Sequence, residues 1–315
     1  MRDFLGIDTS NYTTSCAIFR ADTGELFQQK KLLPVKKGEL GIRQSDAVFH
    51  HTKQLPELME SLKKQTGVMS LCAITASNAP RTLAGSYMPC FTVGETCART
   101  LGAVTNCETY FTSHQIGHVL AALYSADMLK LIHSDKPFLA FHVSGGTTDL
   151  LLCTPDAEMV LDVKEIASSL DLKAGQAVDR VGLMLGLSFP CGKELEKLAD
   201  NADKHYKCKA VLKDMNCCLS GLENRCKKLL DDGETKENIA AYCIDFICET
   251  VRSMTEKALE RYPDSYVIYA GGVMSNIIIR NRLSKSFRAG FAEPELSCDN
   301  AAGVAIYGAI RKGLV

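Results

Sequence analysis

The chain has 315 residues, of which 46% are hydrophobic and 23% charged, and its formal net charge is -1. This length predicts two domains of ordinary size, and the charge excludes a global basic field, so contact with nucleic acid would need a local patch. No apolar run of about 18 residues occurs, and Asp8 interrupts the apolar part of the N-terminus. We therefore expect a cytoplasmic protein with neither a transmembrane helix nor a signal peptide.

The fourteen cysteines invite a disulfide or zinc interpretation, but their spacing argues against both. No CxxC pair occurs, and Cys16, Cys72, Cys153 and Cys243 lie inside apolar runs. This pattern is typical of reduced, buried thiols.

Two segments of the chain resemble each other. Residues 4–19 read FLGIDTSNYTTSCAIF and residues 138–153 read FLAFHVSGGTTDLLLC, and they align without a gap. Each predicts a β-hairpin with a buried first strand and a small polar turn. Chance similarity of two hairpins is the alternative. Duplication predicts two similar lobes, 1–132 and 133–315.

The remaining elements predict alternating helices and strands, which indicates an α/β fold. In lobe one we expect a strand at 69–75 and helices at 45–64, 92–103 and 113–130. In lobe two we expect a strand at 265–270 and helices at 174–186, 192–200, 217–231 and 236–260, with another after Gly271-Gly272. A last helix at about 300–312, rich in small residues such as Ala301 and Ala305, is expected to pack near lobe one.

His114 and His118 form the first chemical motif, HQIGH. Histidines four residues apart lie on one helix face and can bind one metal ion. The position after His114 is not Glu, which excludes the HExxH protease motif. A third ligand must come from elsewhere, with Asp299 and His142 as candidates; ordinary surface histidines are the alternative.

Two glycine turns and two carboxylates complete the candidate site. In Ser144-Gly145-Gly146-Thr147-Thr148 the glycines let backbone N–H groups approach a phosphate. In the segment from Gly271 to Asn276, the pair Gly271-Gly272 joins a strand to the N-terminus of a helix, a natural site for the anionic or ribose part of a nucleotide. Asp179 and Glu196 could bind a ribose hydroxyl or act as a base. Ordinary turns and solvated carboxylates are the alternatives.

Taken together, the ordered segments HQIGH, HVSGGTTDL, AGQAVDRVGLMLGL, FPCGKELEKLA, LSGLEN, AGGVMSN and CDNAAG resemble the tRNA threonylcarbamoyltransferase (TsaD or Gcp) family over nearly the whole chain. The resemblance implies a duplicated, two-lobed, actin-like (ribonuclease H-like, ASKHA) α/β fold, with a nucleotide and metal cleft between the two lobes. It also implies transfer of a threonylcarbamoyl group from an AMP adduct to N6 of the adenosine following the tRNA anticodon.

The resemblance also implies ligands for this chain. One iron or zinc ion would be held by His114, His118 and Asp299, with His142 as an additional ligand. An ATP- or AMP-type nucleotide, or its threonylcarbamoyl adduct, would be the small-molecule partner; tRNA and TsaB-like and TsaE-like proteins would be the macromolecular ones. The nucleotide residues would be His142, Val143, Ser144, Gly145, Gly146, Thr147, Asp179, Gly192, Glu196 and Asn276.

The chain departs from the family pattern in four places. The first turn reads Asn11-Tyr12-Thr13-Thr14 without the usual acid, and Asn78-Ala79-Pro80-Arg81 replaces a GPG loop. Gln176 and Glu223 replace a family Glu and Lys. A TsaD-like threonylcarbamoyltransferase, or a closely related acyl or carbamoyl transferase, remains our first hypothesis. A non-catalytic nucleotide-binding partner of the tRNA-modification complex is the second, and a phosphotransferase of the same fold a weaker third.

Overall fold

The computed structural model describes residues 1–10, 12–34 and 42–315. The chain divides into two compact units. Unit 1 comprises Met1–His133, Pro155–Val163 and Cys298–Val315, and unit 2 comprises Ser134–Thr154 and Lys164–Ser297. Asn11 of the first turn lies outside the described residues.

The two units are built from alternating strands and helices. In chain order the strands are β1 (Asp3–Ser10), β2 (Thr13–Arg20), β3 (Leu26–Leu32), β4 (Leu71–Ala79), β5 (Glu108–Ser113), β6 (Phe138–Val143), β7 (Thr148–Asp156), β8 (Val160–Ser168), β9 (Leu212–Lys213), β10 (Asn216–Cys217), β11 (Val267–Ala270) and β12 (Ala289–Phe291). The α-helices are α1 (Gln44–Thr66), α2 (Phe91–Thr105), α3 (His114–Ser125), α4 (Ala174–Met184), α5 (Gly192–Asp200), α6 (Ser220–Asp231), α7 (Lys236–Arg261), α8 (Ile277–Ser286) and α9 (Ala302–Arg311). Short 3-10 helices cover Leu129–His133 and Gly272–Ser275.

Unit 1 is a five-stranded sheet, ordered β3-β2-β1-β4-β5, with helices on both faces. Every residue of β1 and β2 is buried, as expected for central strands covered on both sides. Leu5 and Ile7 pack with Leu58 of α1, while the alternate residue Phe4 packs with Ala305 of α9. The small residues predicted to favour close packing of the last helix do so.

Gly6 shows how close that packing is. A Cβ atom at this position would lie 2.4 Å from the Ala305 backbone nitrogen and 2.5 Å from the Ala301 carbonyl oxygen. Only glycine allows β1 to approach α9 so closely, and this contact fixes α9 on the sheet.

Unit 2 is centred on a second five-stranded sheet, ordered β12-β11-β6-β7-β8. Its core joins Phe141 of β6 and Tyr269 of β11 to Phe246 of the long helix α7. Phe141 and Tyr269 stack with their ring centroids 5.2 Å apart.

The two sheets repeat one topology, and both predicted hairpins are confirmed. β1 pairs antiparallel with β2 and parallel with β4. β6 likewise pairs antiparallel with β7 and parallel with β11. This shared order supports duplication over chance similarity of two hairpins.

Several predicted boundaries were wrong, and β3, β5, β8 and the short strands were not predicted. The helix expected over 113–130 ends at Ser125, because Asp127 adopts a positive φ of 54° that an α-helix does not allow. The helix expected over 217–231 begins only at Ser220, since Asn216 and Cys217 belong to β10.

Two predicted absences can be compared with the structure. No disulfide joins any cysteine of the described residues; Cys16, Cys153 and Cys243 are buried, and Cys72 is half-buried. No helix within residues 1–10, 12–34 and 42–315 is both long and apolar enough to cross a membrane.

Candidate metal centre and glycine turns

Three potential metal ligands converge in unit 1. The Ser113 side chain accepts a hydrogen bond from the Ile116 backbone N–H at 3.2 Å, which starts α3 at His114. His114 and His118 are then one turn apart, with their Nε2 atoms separated by 2.9 Å. Asp299, just before α9, places Oδ1 at 3.5 Å from His114 Nε2 and 3.3 Å from His118 Nε2.

These separations fit a bound metal ion. Donors at about 2.0–2.1 Å from a metal, with angles of about 90–110° between them, lie about 2.8–3.4 Å from one another. The observed separations of 2.9, 3.3 and 3.5 Å are close to this range. Two imidazoles and one carboxylate also match the ligand types that zinc and iron accept.

Asp8 is a fourth residue of the centre that sequence reasoning did not select. Its side chain is fully buried, and its Oδ1 lies 3.1 Å from His114 Nδ1. Oδ2 accepts a hydrogen bond from Ser10 Oγ at 2.6 Å, and Oδ1 accepts another from Ser77 Oγ. No sequence signal links Asp8 to His114, since 106 residues separate them.

The charges of the centre stabilise one another. Burial opposes ionisation of Asp8, but His114 and the two serines lower the pKa of that carboxyl. Burial likewise disfavours an imidazolium at His114, but the Asp8 charge and the contact with Asp299 raise its pKa to about 10. Burial also opposes ionisation of Asp299, and the two histidines hold its pKa well below the usual range. The carboxylates of Asp8 and Asp299 are thus stabilised in their ionised form beside His114.

The first hairpin also reaches the centre. Thr13, the first residue of β2, donates a hydrogen bond from Oγ1 to Asp299 Oδ2 at 3.4 Å. The hairpin turn therefore contributes a hydroxyl to a candidate ligand, although the acid expected in that turn by family resemblance is missing.

His142 lies in unit 2 and is half-buried on β6. Its Nδ1 lies 3.2 Å from Thr147 Oγ1. The three-donor cluster in the described residues consists of His114, His118 and Asp299, all of unit 1. The proposal that His142 adds a further ligand stays a prediction.

The Ser144–Thr147 turn is ordered by its own serine. Ser144 Oγ accepts hydrogen bonds from the backbone N–H groups of Gly146 and Thr147, both at 3.2 Å. Apart from the adjoining residues of the chain, no atom of the described residues lies within 4 Å of a Cβ built on Gly145 or Gly146. This open, glycine-lined turn is the geometry that phosphate-binding loops use.

Behind the turn, the backbone leaves no space. A Cβ on Gly175 in α4 would lie 2.6 Å from Gly145 N, and a Cβ on Gly271 would lie 2.2 Å from Val143 O. Gly271 also has a φ of +99°, which side-chain-bearing residues rarely adopt. Because these two residues are glycines, the start of α4 and the Gly271-Gly272 turn can pack directly against the backbone of the β6–β7 hairpin.

The remaining candidate residues have structural partners that tie α4, α5 and α8 together. Asp179 Oδ1 accepts a hydrogen bond from Cys191 N at 2.9 Å, just before α5. Glu196 Oε1 accepts a hydrogen bond at 2.6 Å from the backbone N–H of Ile277, the first residue of α8. The side chain of Asn276 caps α8 by accepting a hydrogen bond from Ile279 N at 3.0 Å. Gly192 is open: apart from its chain neighbours and the nearby backbone of α5, no atom of the described residues lies within 4 Å of a built Cβ.

Comparison with known families decides what this arrangement is related to. A family model described as "TsaD: tRNA N6-adenosine threonylcarbamoyltransferase" matches residues 26–306. The chain belongs to the TsaD family. Residues 26–306 include the three candidate metal ligands and all the candidate nucleotide residues, so the ordered motifs lie within the matched region.

Curated TsaD relatives align with almost the whole chain. The tRNA N6-adenosine threonylcarbamoyltransferase of Buchnera aphidicola is 30% identical over 326 aligned positions, covering 98% of this chain and 92% of the relative. The protein of the same description from Francisella tularensis is 29% identical and covers 98% and 93%. The chain is therefore similar in extent to established TsaD proteins, which are tRNA-modifying transferases.

Solved structures identify the fold. The chain resembles (R)-2-hydroxyglutaryl-CoA dehydratase component A of Acidaminococcus fermentans, at 16% identity and a TM-score of 0.56 over 98% of this chain and 97% of the other. It also resembles HypF of T. kodakarensis, at 12% identity and a TM-score of 0.62, over 99% of this chain and 47% of the other. The fold is the duplicated, actin-like α/β (ASKHA) fold expected from sequence.

Proposed function

We propose that this TsaD-family chain transfers a threonylcarbamoyl group from an AMP adduct to N6 of the adenosine that follows the tRNA anticodon, with the help of one divalent metal ion. The observation that carries the proposal is the convergence of His114, His118 and Asp299, whose separations fit one metal ion in a family of tRNA-modifying transferases. The comparisons do not favour the alternative of a non-catalytic partner.

The metal-binding role falls to three residues. His114 and His118 would hold iron or zinc through Nε2 and Asp299 through Oδ1, with His142 as a proposed further ligand. A bound divalent ion supplies Lewis-acid polarisation of a carbonyl or phosphoryl oxygen. Thr13 orients the Asp299 carboxylate through its hydrogen bond to Oδ2.

The nucleotide-binding role falls to unit 2. The segment from His142 to Thr147 would bind the phosphate through backbone N–H groups near Gly145 and Gly146. Asp179 and Glu196 each have one carboxylate oxygen bonded to a backbone N–H, and we propose that the other oxygen binds a ribose hydroxyl. Gly192 would give the ribose room, and Asn276 would lie on the adenine side.

Partner proteins and the acceptor complete the proposal. We expect tRNA as acceptor and TsaB-like and TsaE-like proteins as partners, in the cytoplasm. None of the proposed metal or nucleotide ligands lies in the first turn or in the Asn78–Arg81 segment, where the family resemblance leads us to expect an acid and a GPG loop. We therefore propose that the reaction is retained.

A transfer assay with purified protein tests the proposal. Wild-type protein with its pathway partners should move labelled threonylcarbamoyl groups onto tRNA and should contain about one metal ion per chain, the number that one three-donor site holds. The His114→Ala, His118→Ala double variant should lose both properties, whereas His205→Ala, at an exposed histidine of unit 2, should keep them. Absence of transfer by metal-loaded wild type, with normal modified-adenosine levels in a deletion strain, would refute the transferase role.

A further inference from the structure

We infer that Asp8 is a positioning residue for the metal centre: its carboxylate fixes the His114 ring in the tautomer and orientation that present Nε2 to a metal ion. The inference deepens the proposed function, because it rests on the metal role of His114. It adds to the centre a residue that is neither a ligand nor part of the family motifs recognised in the sequence.

The tautomer follows from the contact. An ionised carboxylate accepts hydrogen bonds but cannot donate them. The 3.1 Å contact between Asp8 Oδ1 and His114 Nδ1 therefore places the proton on Nδ1. A metal ion that binds displaces any proton on Nε2, so the lone pair is then on Nε2, the atom that faces His118 and Asp299. This is the carboxylate–histidine–metal arrangement in which an outer carboxylate orients a ligand.

Asp8 is itself held without freedom to move. It lies on the central strand β1 with none of its surface exposed. Ser10 at the end of β1 and Ser77 on the neighbouring strand β4 donate to its two oxygens. A carboxylate clamped between two strands fixes the ring that it contacts, and the Phe91 ring packs edge-on against the same imidazole at 6.2 Å between centroids.

The geometry separates this role from direct ligation. Asp8 contacts the Nδ1 edge of His114, whereas the cluster of donor atoms forms around Nε2. Nδ1 and Nε2 are on different edges of the ring, so Asp8 acts on the metal through the histidine.

The test compares two buried aspartates of one strand. Asp8→Asn keeps the side-chain shape but removes the charge and allows the amide to donate to Nδ1, which would move the proton to Nε2. Zn²⁺ affinity, measured by competition with a chelator, should fall about 10- to 100-fold. The matched control is Asp3→Asn, also fully buried on β1, whose carboxylate pairs with Arg20 at 3.2 Å. It should lose stability and keep wild-type Zn²⁺ affinity.

A spectroscopic readout separates positioning from general destabilisation. Imidazole ¹⁵N NMR of the Zn²⁺-loaded wild type should show His114 with its proton on Nδ1 and zinc on Nε2. Thermal unfolding of the metal-free variants identifies any loss of fold, and Zn²⁺ affinity is compared only among folded proteins.

Each remaining outcome is decisive. Unchanged Zn²⁺ affinity in folded Asp8→Asn, or zinc on Nδ1 of the wild type, would overturn the inference and leave the proposed metal role standing. A wild type that binds no Zn²⁺, Fe²⁺ or Co²⁺ would remove both the inference and the metal part of the proposed function, while the tRNA assay would still decide the transfer reaction by itself.

Discussion

Gly303 of α9 lies directly against the backbone of Gly117 in α3, where a Cβ atom at position 303 would be 1.9 Å from the Gly117 carbonyl oxygen. Gly117 precedes His118, and Asp299 lies just before α9. The close crossing of these two helices therefore brings the histidines of α3 within reach of the aspartate before α9. The candidate metal centre therefore depends on a contact between two glycines that have no side chain to bind a metal ion.

Gly303→Ala should damage both the fold and the centre. The added methyl group meets backbone atoms, which cannot rotate away, so α3 and α9 must separate. Overpacking of this kind costs about 1–3 kcal/mol, and more when the neighbour is rigid. Urea unfolding should show this loss, and Zn²⁺ affinity of the folded variant should fall because Asp299 moves away from the histidines.

Gly221→Ala is the matched control for that substitution. Gly221 lies in α6, and a Cβ there meets no atom of the described residues within 4 Å beyond its chain neighbours and the nearby backbone of α6. Alanine favours helix over glycine by up to about 1 kcal/mol, so stability should be unchanged or slightly higher. Equal losses in the two variants would show that the Gly303 contact has no special role.

Gly192→Val should weaken nucleotide binding without weakening the fold. Position 192 is open, so the new side chain fills space that the proposed ribose needs. Isothermal titration with AMP should show at least a several-fold loss of affinity, with an unchanged melting temperature. Gly175→Ala, which is blocked by Gly145, should lower both quantities. Wild-type AMP affinity in Gly192→Val would argue against the nucleotide site proposed there.

Asp171→Asn should destabilise the start of α6. Asp171 accepts hydrogen bonds from Leu219 N at 2.7 Å and from Ser220 N and Oγ at 3.2 and 2.6 Å. An amide cannot accept at both positions, so we expect a loss of about 1–2 kcal/mol at neutral pH. Asp231→Asn, at the other end of α6, should have little effect.

The same aspartate predicts an acid dependence. Burial opposes its ionisation, but Ser220 and the backbone N–H groups lower the pKa of Asp171 from 3.8 to about 2. Because the folded-state pKa is lower than the unfolded one, the stabilisation is complete above pH 3.8 and is lost as the pH falls through about 2. The difference in unfolding free energy between wild type and Asp171→Asn should shrink over that window; a constant difference would contradict the assignment.

From His51 we predict a second dependence of stability on pH, in a window closer to neutrality. Its ring is fully buried, with Nδ1 2.8 Å from Thr14 Oγ1, and Thr14 donates to Gln54 Oε1 at 2.7 Å. Burial lowers the pKa of His51 from 6.5 to about 4, although the charge of Asp8 acts in the opposite direction. The unfolded chain therefore binds this proton first, and stability should fall as the pH drops from 6.5 to about 4.

Chemical unfolding across that window checks the assignment. His51→Asn should have a flatter profile than the wild type between these pH values. His50→Asn, which changes the neighbouring ring, should keep most of the wild-type slope, because the charge of His50 contributes less to the lowered pKa of His51 than burial does. If His51→Asn keeps that slope as well, another group is responsible.

The sequence predicted the residues that repeat or form local patterns, and missed those defined by distant contacts. The two hairpins were visible because apolar strands flank small turns, and His114 and His118 because helical spacing places them on one face. Asp8 was not selected, since only the fold brings it to His114. β3 was missed because its partly exposed, polar sequence LFQQKKL lacks the signature of a buried strand. The periodicity of apolar residues indicates which side chains are buried, but it does not show which distant residues they contact.

The division of the chain has a consequence for how the protein is made. Unit 1 includes Cys298–Val315, so its sheet is covered by α9, and its candidate centre receives Asp299, only from a segment synthesised after the whole of unit 2. While the ribosome is still making residues 134–297, the β1–β5 region has an uncovered apolar face and two of its three metal donors. A nascent chain at that stage should bind metal weakly and depend on chaperones, and productive metal loading should follow the arrival of α9.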